Sequence, residues 1–158
     1  MDAERIRGKG MVKSQALRNA RYLVAALYVI QTLLIYVFWN DHAASYEIFC
    51  DYIGRSDLPL ILDCTYVIIA IMVGLWITAI LLITKNKLAP FASVVVSAAL
   101  IAVRENPYIF EGTKYDKPEV VSGKTVQMWK LVLLSLVTFT IWLDNKPQEN
   151  VKENVKED

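Results

Sequence analysis

Four long apolar stretches, separated by short polar segments, set the pattern of the chain. The predicted spans are about residues 22–40, 59–84, 88–103 and 126–143, and they contain only two of the 33 charged side chains. An α-helix needs roughly 20 apolar residues to cross about 30 Å of hydrocarbon. The pattern therefore predicts an all-α integral membrane protein, a bundle of four transmembrane helices.

The connections between the stretches refine this picture. Residues 85–87 form a short basic turn, so spans two and three should be antiparallel neighbours. Lys130 leaves only 13 uninterrupted apolar residues in the fourth stretch. Three spans plus one interfacial helix is therefore the alternative to four spans.

The distribution of Lys and Arg predicts the orientation. The first 21 residues, the turn at 85–87 and the last 15 residues carry 11 of these cations, and the two remaining connections carry five. Positive charge is enriched on the cytoplasmic side of membrane proteins. We expect a basic cytoplasmic tail over 1–21, a transmembrane domain over 22–143, and a disordered cytoplasmic tail of mixed charge over 144–158.

Composition removes several classes of function. The net charge of +1 provides no basic footprint for nucleic acid. One histidine and two cysteines, without ligand spacing, predict no metal site and no cofactor, and the chain has no glycine-rich phosphate loop. Catalytic groups of the common types are missing as well, so we expect a protein that is not an enzyme.

Two charged residues inside the spans are the first candidates for a functional site. Asp63 and Lys130 should lie at equal depth on the lumenal side, where they can pair, although separate snorkelling or a purely structural pair explains them too. Other polar residues should border the same pocket or lie at mid-depth beside it. They are Asp41, His42, Arg104, Glu105 and Gln31.

Two further groups of residues concern structure. Cys50 and Cys64 can form a disulfide in an oxidising lumen, or remain two buried free thiols. Small residues recur at helical spacing in spans two and three, where they let helices approach closely in lipid. These residues are Ala70, Gly74, Thr78, Ser93 and Ser97.

Several segments together resemble the DoxX-like superfamily of four-helix membrane proteins. They are FWNDH after span one, IMVGLW within span two, TKNK in the basic turn and MWKLVLLSL in span four. That superfamily includes surfeit-locus cargo receptors and a receptor-assembly chaperone. The resemblance covers about residues 21–145. This chain departs from the superfamily in one respect, because its last span is not the glycine-rich helix that is typical of DoxX relatives. The resemblance implies a compact bundle with a chaperone, receptor or accessory role.

The sequence supports three hypotheses of function. The first is a non-enzymatic protein that binds the bilayer and assists another membrane or secretory protein, in the endoplasmic reticulum or secretory pathway. The second is an accessory subunit of an energy-transducing complex, such as a respiratory assembly of the mitochondrial inner membrane. The third is a membrane protein that binds a small molecule or lipid in the lumenal polar pocket.

Overall fold

The fold is described from a computed structural model of the chain. It describes residues 2–110, 113 and 117–144, with side chains from residue 15 onward except at residue 60. Six α-helices lie in this part of the chain: α1 Asp2–Val37, α2 Trp39–Tyr52, α3 Leu58–Ile61, α4 Cys64–Ile83, α5 Ala89–Leu100 and α6 Pro118–Asp144. A π-helical segment, Ile101–Glu105, and a 3-10 turn, Pro107–Phe110, follow α5. The described residues contain no strand, so the all-α prediction is confirmed for them.

Four helical segments are long and apolar enough to cross a membrane. They are Gln15–Val37, Cys64–Ile83, Ala89–Phe110 and Pro118–Asp144. The fourth is one continuous helix of 27 residues in which Lys130 causes no break. Four segments therefore have the length and composition of membrane spans, which supports four spans over three spans plus an interfacial helix.

The first span differs from its predicted form at both ends. The segment predicted as a basic tail, residues 1–21, is helical from Asp2 onward and continues into the span. At the other end, the helix stops before Phe38, whose φ of −101° and ψ of 34° turn the chain into α2. The connection after span one was expected to be a loop, whereas α2 is a 14-residue helix.

The second span begins later than predicted because Asp63 caps its helix. The Asp63 Oδ1 atom accepts a hydrogen bond of 2.7 Å from the backbone N–H of Thr65. An Asp at this position satisfies one of the amide groups that the first helical turn leaves unpaired. Pro59, the first residue of the predicted span, lies instead in the short helix α3.

The turn between α4 and α5 joins the two helices as predicted. The backbone N–H of Asn86 donates to Leu81 O at 2.9 Å, and that of Lys85 donates to Leu82 O at 3.3 Å. This pair of bonds requires a left-handed residue after the helix, and Lys85 adopts it with a φ of 58°. Asn86 Oδ1 then accepts from the N–H of Leu88, which starts the next helix.

The four spans pack as a ring in which α1 contacts α4, α4 contacts α5, α5 contacts α6 and α6 contacts α1. The contact between α1 and α6 is the least extensive of the four. Helix α2 lies across one end of the bundle, where it contacts α4 and the π-helical segment. The ring is therefore tight on three sides and loose between its first and last helices.

A cluster of hydroxyl groups holds three of the spans together inside the bundle. The Tyr28 hydroxyl of α1 hydrogen-bonds to Ser93 Oγ of α5 and, at 3.1 Å, to Thr138 Oγ1 of α6. Ser135 of α6 bonds to Ser93 at 3.1 Å and to Ser97 at 2.9 Å. Since lipid offers no hydrogen bonds, these hydroxyls satisfy one another.

The outward faces of the spans are apolar. Large side chains such as Leu23, Ile69, Val94 and Leu136 are exposed on all four of them. Such a surface fits contact with a lipid bilayer and not with water. The predicted disordered tail after residue 143 falls almost entirely on residues 145–158, which lie outside the described part of the chain.

Candidate functional site

Two local features bring charged residues together at the end of the bundle that carries α2. The helix of span three continues past Leu100 as a π-helical segment, and the residue before Pro107 ends it because proline disfavours helical geometry there. Helix α6 begins at Pro118, eight residues before the start of the predicted span. Arg104 and Glu105 on one segment therefore face Lys124 on the other.

Glu105 is the centre of this charged group. Its side chain is only 3% exposed, and Oε1 lies 3.3 Å from Arg104 Nη1 while Oε2 lies 3.7 Å from Lys124 Nζ. The Lys124 ammonium also lies 4.9 Å from the centre of the Phe110 ring. The buried carboxylate is thus paired with two cations, so its own charge is compensated while one positive charge remains in the group.

His42 lies buried behind this group. It shares a small internal cavity of about 10 Å³ with Arg104, Ile35 and Leu100. Burial, together with the positive charges of Arg104 and Lys124, lowers the pKa of His42 to about 3. His42 is therefore neutral at physiological pH. Asp41, beside it, is exposed and lies within electrostatic reach of Lys124.

The charged group borders a polar cavity of about 410 Å³ between α1, α6 and the π-helical segment. Its polar lining comes from seven side chains: Gln31, Arg104, Glu105, Glu119, Lys124, Gln127 and Lys130. Four of these, Gln31, Arg104, Glu105 and Lys130, belong to the pocket predicted from the sequence. The structure thus brings together the larger part of that predicted group.

An apolar groove of about 680 Å³ runs along the loose contact between α1 and α6. Helix α1 lines it with Leu23, Val24, Leu27, Ile30, Gln31 and Leu34, and α6 lines it with Thr125, Val126, Trp129, Lys130, Leu133, Leu134 and Val137. Gln31, Leu34 and Lys130 line both the groove and the polar cavity. The two spaces therefore adjoin and form one amphipathic site.

The predicted pairing of Asp63 with Lys130 is not present. Asp63 caps the start of α4, where hydrogen bonds from Thr65 lower the pKa of its carboxyl group. Lys130 lies near Glu105 and Arg104 instead. Asp63 lies just before the first residue of α4, whereas Lys130 lies near the middle of α6.

Both cysteines are free thiols in the structure. Cys50 is buried in α2, where burial raises the pKa of its thiol, and Cys64 is the first residue of α4. Tyr46 lies near both thiols, and its hydroxyl donates to Leu62 O at 3.0 Å. Of the two alternatives left open by the sequence, the structure contains the pair of free thiols.

The small residues predicted for helix packing divide into two groups. Ser93 and Ser97 are buried and join the hydroxyl cluster, Thr78 is buried, and Gly74 faces Val96 of α5. Ala70 is exposed and contributes nothing to the interior.

Lys124 and Gln127 are site residues that the sequence reasoning missed, since both were assigned to the loop or to the edge of the span. Lys117–Pro118–Glu119 was an available signal, because Pro and an acid favour the first turn of a helix. A helix from Pro118 places Val120, Lys124 and Gln127 on one face at helical spacing. All three line the polar cavity.

The chain was compared with family models, with curated proteins and with solved structures, and none of the three comparisons gives a match. The resemblance to DoxX-like proteins therefore stays a prediction. Among the described residues, no group of three His, Cys, Asp or Glu side chains is placed to hold a metal ion. The amphipathic site is consequently the feature from which function is argued.

Proposed function

We propose that this chain is a binding protein of the membrane that takes up an amphipathic molecule from the bilayer. The apolar part of the molecule lies in the groove between α1 and α6, and its polar end lies in the adjoining cavity. The observation that carries this proposal is the junction at Gln31, Leu34 and Lys130, where apolar and polar spaces share their lining. No catalytic step is part of the proposal.

The size of the groove supports a small occupant. Pockets for small molecules and cofactors range from about 300 to 1,000 Å³, and the groove holds about 680 Å³. A second transmembrane helix has about 20 residues and a diameter of about 10 Å, so it is much larger than this space. A single lipid chain is closer to the groove in volume.

Access from the bilayer is direct. Leu23, Leu27 and Ile30 on α1, and Trp129 and Leu133 on α6, line the groove and are themselves exposed on the outside of the bundle. A molecule can therefore enter sideways without crossing water. This route distinguishes the groove from the enclosed interior of the bundle, which the hydroxyl cluster fills.

The distribution of Lys and Arg supports a proposal for the orientation of the chain in its membrane. The excess of Lys and Arg at the termini and at residues 85–87 supports cytoplasmic termini, which places the polar cavity on the lumenal or external side. We propose the endoplasmic reticulum or the secretory pathway, with the mitochondrial inner membrane as the alternative. Imaging a C-terminally tagged chain separates the two, and a mitochondrial signal excludes the first.

The same groove could also serve the assisting role that the sequence suggested. A protein that assists a membrane or secretory client, or serves as an accessory subunit, can use the groove to hold part of that client. The small volume makes this the second candidate. Purification from native membrane separates a bound lipid from a bound protein.

The test uses two tryptophan substitutions at similarly exposed positions of α6, one that lines the groove and one that does not. Leu133 is 58% exposed and lines the groove, whereas Leu136 is 56% exposed and does not. We expect mass spectrometry of the purified chain to find a co-purifying amphiphile with the wild type and with Leu136→Trp, and to find it lost with Leu133→Trp. Equal retention in all three contradicts the proposal. A protein lost only with Leu133→Trp favours the assisting role instead.

A further inference from the structure

We infer that the occupant of the amphipathic site is an acidic membrane lipid whose anionic head group pairs with Lys130. The inference rests on the proposed function, and it adds the charge and the contact that select the ligand. Its basis is the position of Lys130 together with the balance of charges around it.

Lys130 lies at the junction of the two spaces and within the membrane. It lines both the groove and the polar cavity, and it is fourteen residues before the end of α6, which is about 21 Å at 1.5 Å per residue. A lysine inside the hydrocarbon region is costly unless it reaches a polar partner. An anion in the cavity provides that partner directly above the groove.

In the part of the chain that the structure describes, no carboxylate forms an ion pair with Lys130. Among the described residues, the ion pairs at this end of the bundle are those of Glu105 with Arg104 and with Lys124, and neither includes Lys130. Glu119 lines the same cavity but is eleven residues away, about 16 Å along α6. The described lining of the polar cavity thus carries three cations, Arg104, Lys124 and Lys130, against the two carboxylates Glu105 and Glu119, an excess of one positive charge.

Neutral groups at the junction also suit an anion. The amides of Gln31 and Gln127 line the cavity and offer N–H donors to a phosphate oxygen. Basic pockets between transmembrane helices bind the head groups of anionic lipids for the same reasons. A phospholipid with one chain in the groove places its phosphate beside Lys130, while its second chain remains in the bilayer.

The experiment measures lipid selectivity by native mass spectrometry of the full chain released from vesicles. The vesicles contain equal amounts of phosphatidylglycerol, which is anionic, and phosphatidylcholine of the same chains, which is neutral overall. We expect the wild type to retain phosphatidylglycerol about fivefold more often, the ratio for one lysine facing an anionic lipid. In Lys130→Gln that ratio should fall to about one.

Two control variants separate failure of the lipid inference from failure of the proposed function. Lys117→Gln removes an exposed cation near the start of α6 that does not line the cavity, so it should keep the wild-type ratio. Leu133→Trp should abolish retention of both lipids. Retention of the two lipids in equal amounts by the wild type, or an unchanged ratio in Lys130→Gln, overturns the inference while the groove still binds. Full retention in Leu133→Trp overturns the proposed function itself.

Discussion

Gly74 of α4 lies against Val96 of α5 so closely that a methyl group at Gly74 would stand 2.7 Å from Val96 Cγ2. Valine is stiff about χ1, so the contact cannot be relieved by a small rotation. We expect Gly74→Ala to separate the two helices and lower the free energy of unfolding by about 1 kcal/mol, the cost of overpacking less the better helix propensity of alanine. Thermal unfolding in detergent measures the change.

Gly123 of α6 provides the matched control for this substitution. A methyl group there meets no atom within 4 Å. Gly123→Ala should therefore raise stability by about 0.5–1 kcal/mol through helix propensity alone. If both variants are stabilised to the same extent, the close approach of α4 and α5 is not a determinant of the bundle.

Tyr28 supplies the hydroxyl that links α1 to α5 and α6 through Ser93 and Thr138. Tyr28→Phe keeps the ring and removes only this oxygen. We expect stability to fall by about 0.6–2 kcal/mol, the range for hydrogen bonds between helices in membranes. Tyr22→Phe alters an exposed tyrosine on the same helix and should leave the unfolding temperature unchanged. A neutral Tyr28→Phe would show that the cluster only fills space.

His42 gives the folded state a dependence on pH with a definite sign. Its pKa is about 3 in the fold, because it is buried and faces Arg104 and Lys124, and about 6.5 in an unfolded chain. Between these values the unfolded chain binds more protons, so stability falls as the pH falls through this window. At pH 5 the loss in free energy of unfolding amounts to about 2 kcal/mol.

The variant His42→Gln isolates this contribution because glutamine does not titrate. We expect the wild type to lose more stability than the variant between pH 7 and pH 5, by about the stated 2 kcal/mol. Denaturation curves at the two pH values measure the difference. Parallel losses in the two proteins would mean that His42 is accessible to protons in the folded state.

Asp63 should act as a helix cap and not as half of an ion pair. Asn caps as well as Asp does, whereas Ala costs about 0.5–2 kcal/mol. We expect Asp63→Asn to keep near-normal stability, Asp63→Ala to lose this amount, and the double exchange Asp63→Lys with Lys130→Asp to rescue nothing. Rescue by the double exchange would restore the predicted pairing that the structure lacks.

The hydrophobic pattern predicted the number of spans and their approximate positions, because lipid exposure leaves little freedom in the placement of charges. It did not predict where helices begin and end beyond the apolar stretches. Helix α6 begins eight residues before its predicted span, at Pro118, because polar helical turns carry no apolar signal. Asp63 was assigned to the span since a capping role depends on the local backbone turn.

The candidate site was predicted in part for a related reason. Arg104, Glu105, Gln31 and Lys130 were grouped from their expected depth, and depth follows from position along a span. The groove itself depends on how closely α1 and α6 approach, which depends on packing in three dimensions. Lys124 was missed because its partner Glu105 lies on another segment, in a π-helical turn that no periodicity indicates.

Cross-linking from within the bilayer tests the central claim, that the groove between α1 and α6 holds an amphiphile, most directly. The full chain in vesicles is illuminated with an anionic phospholipid that carries a photoreactive group midway along one chain, and the labelled peptides are mapped. We predict labels concentrated on residues 23–34 and 125–137, lost in Leu133→Trp and kept in Leu136→Trp. Labels spread evenly over the outer faces of all four spans and unaffected by Leu133→Trp would contradict the account.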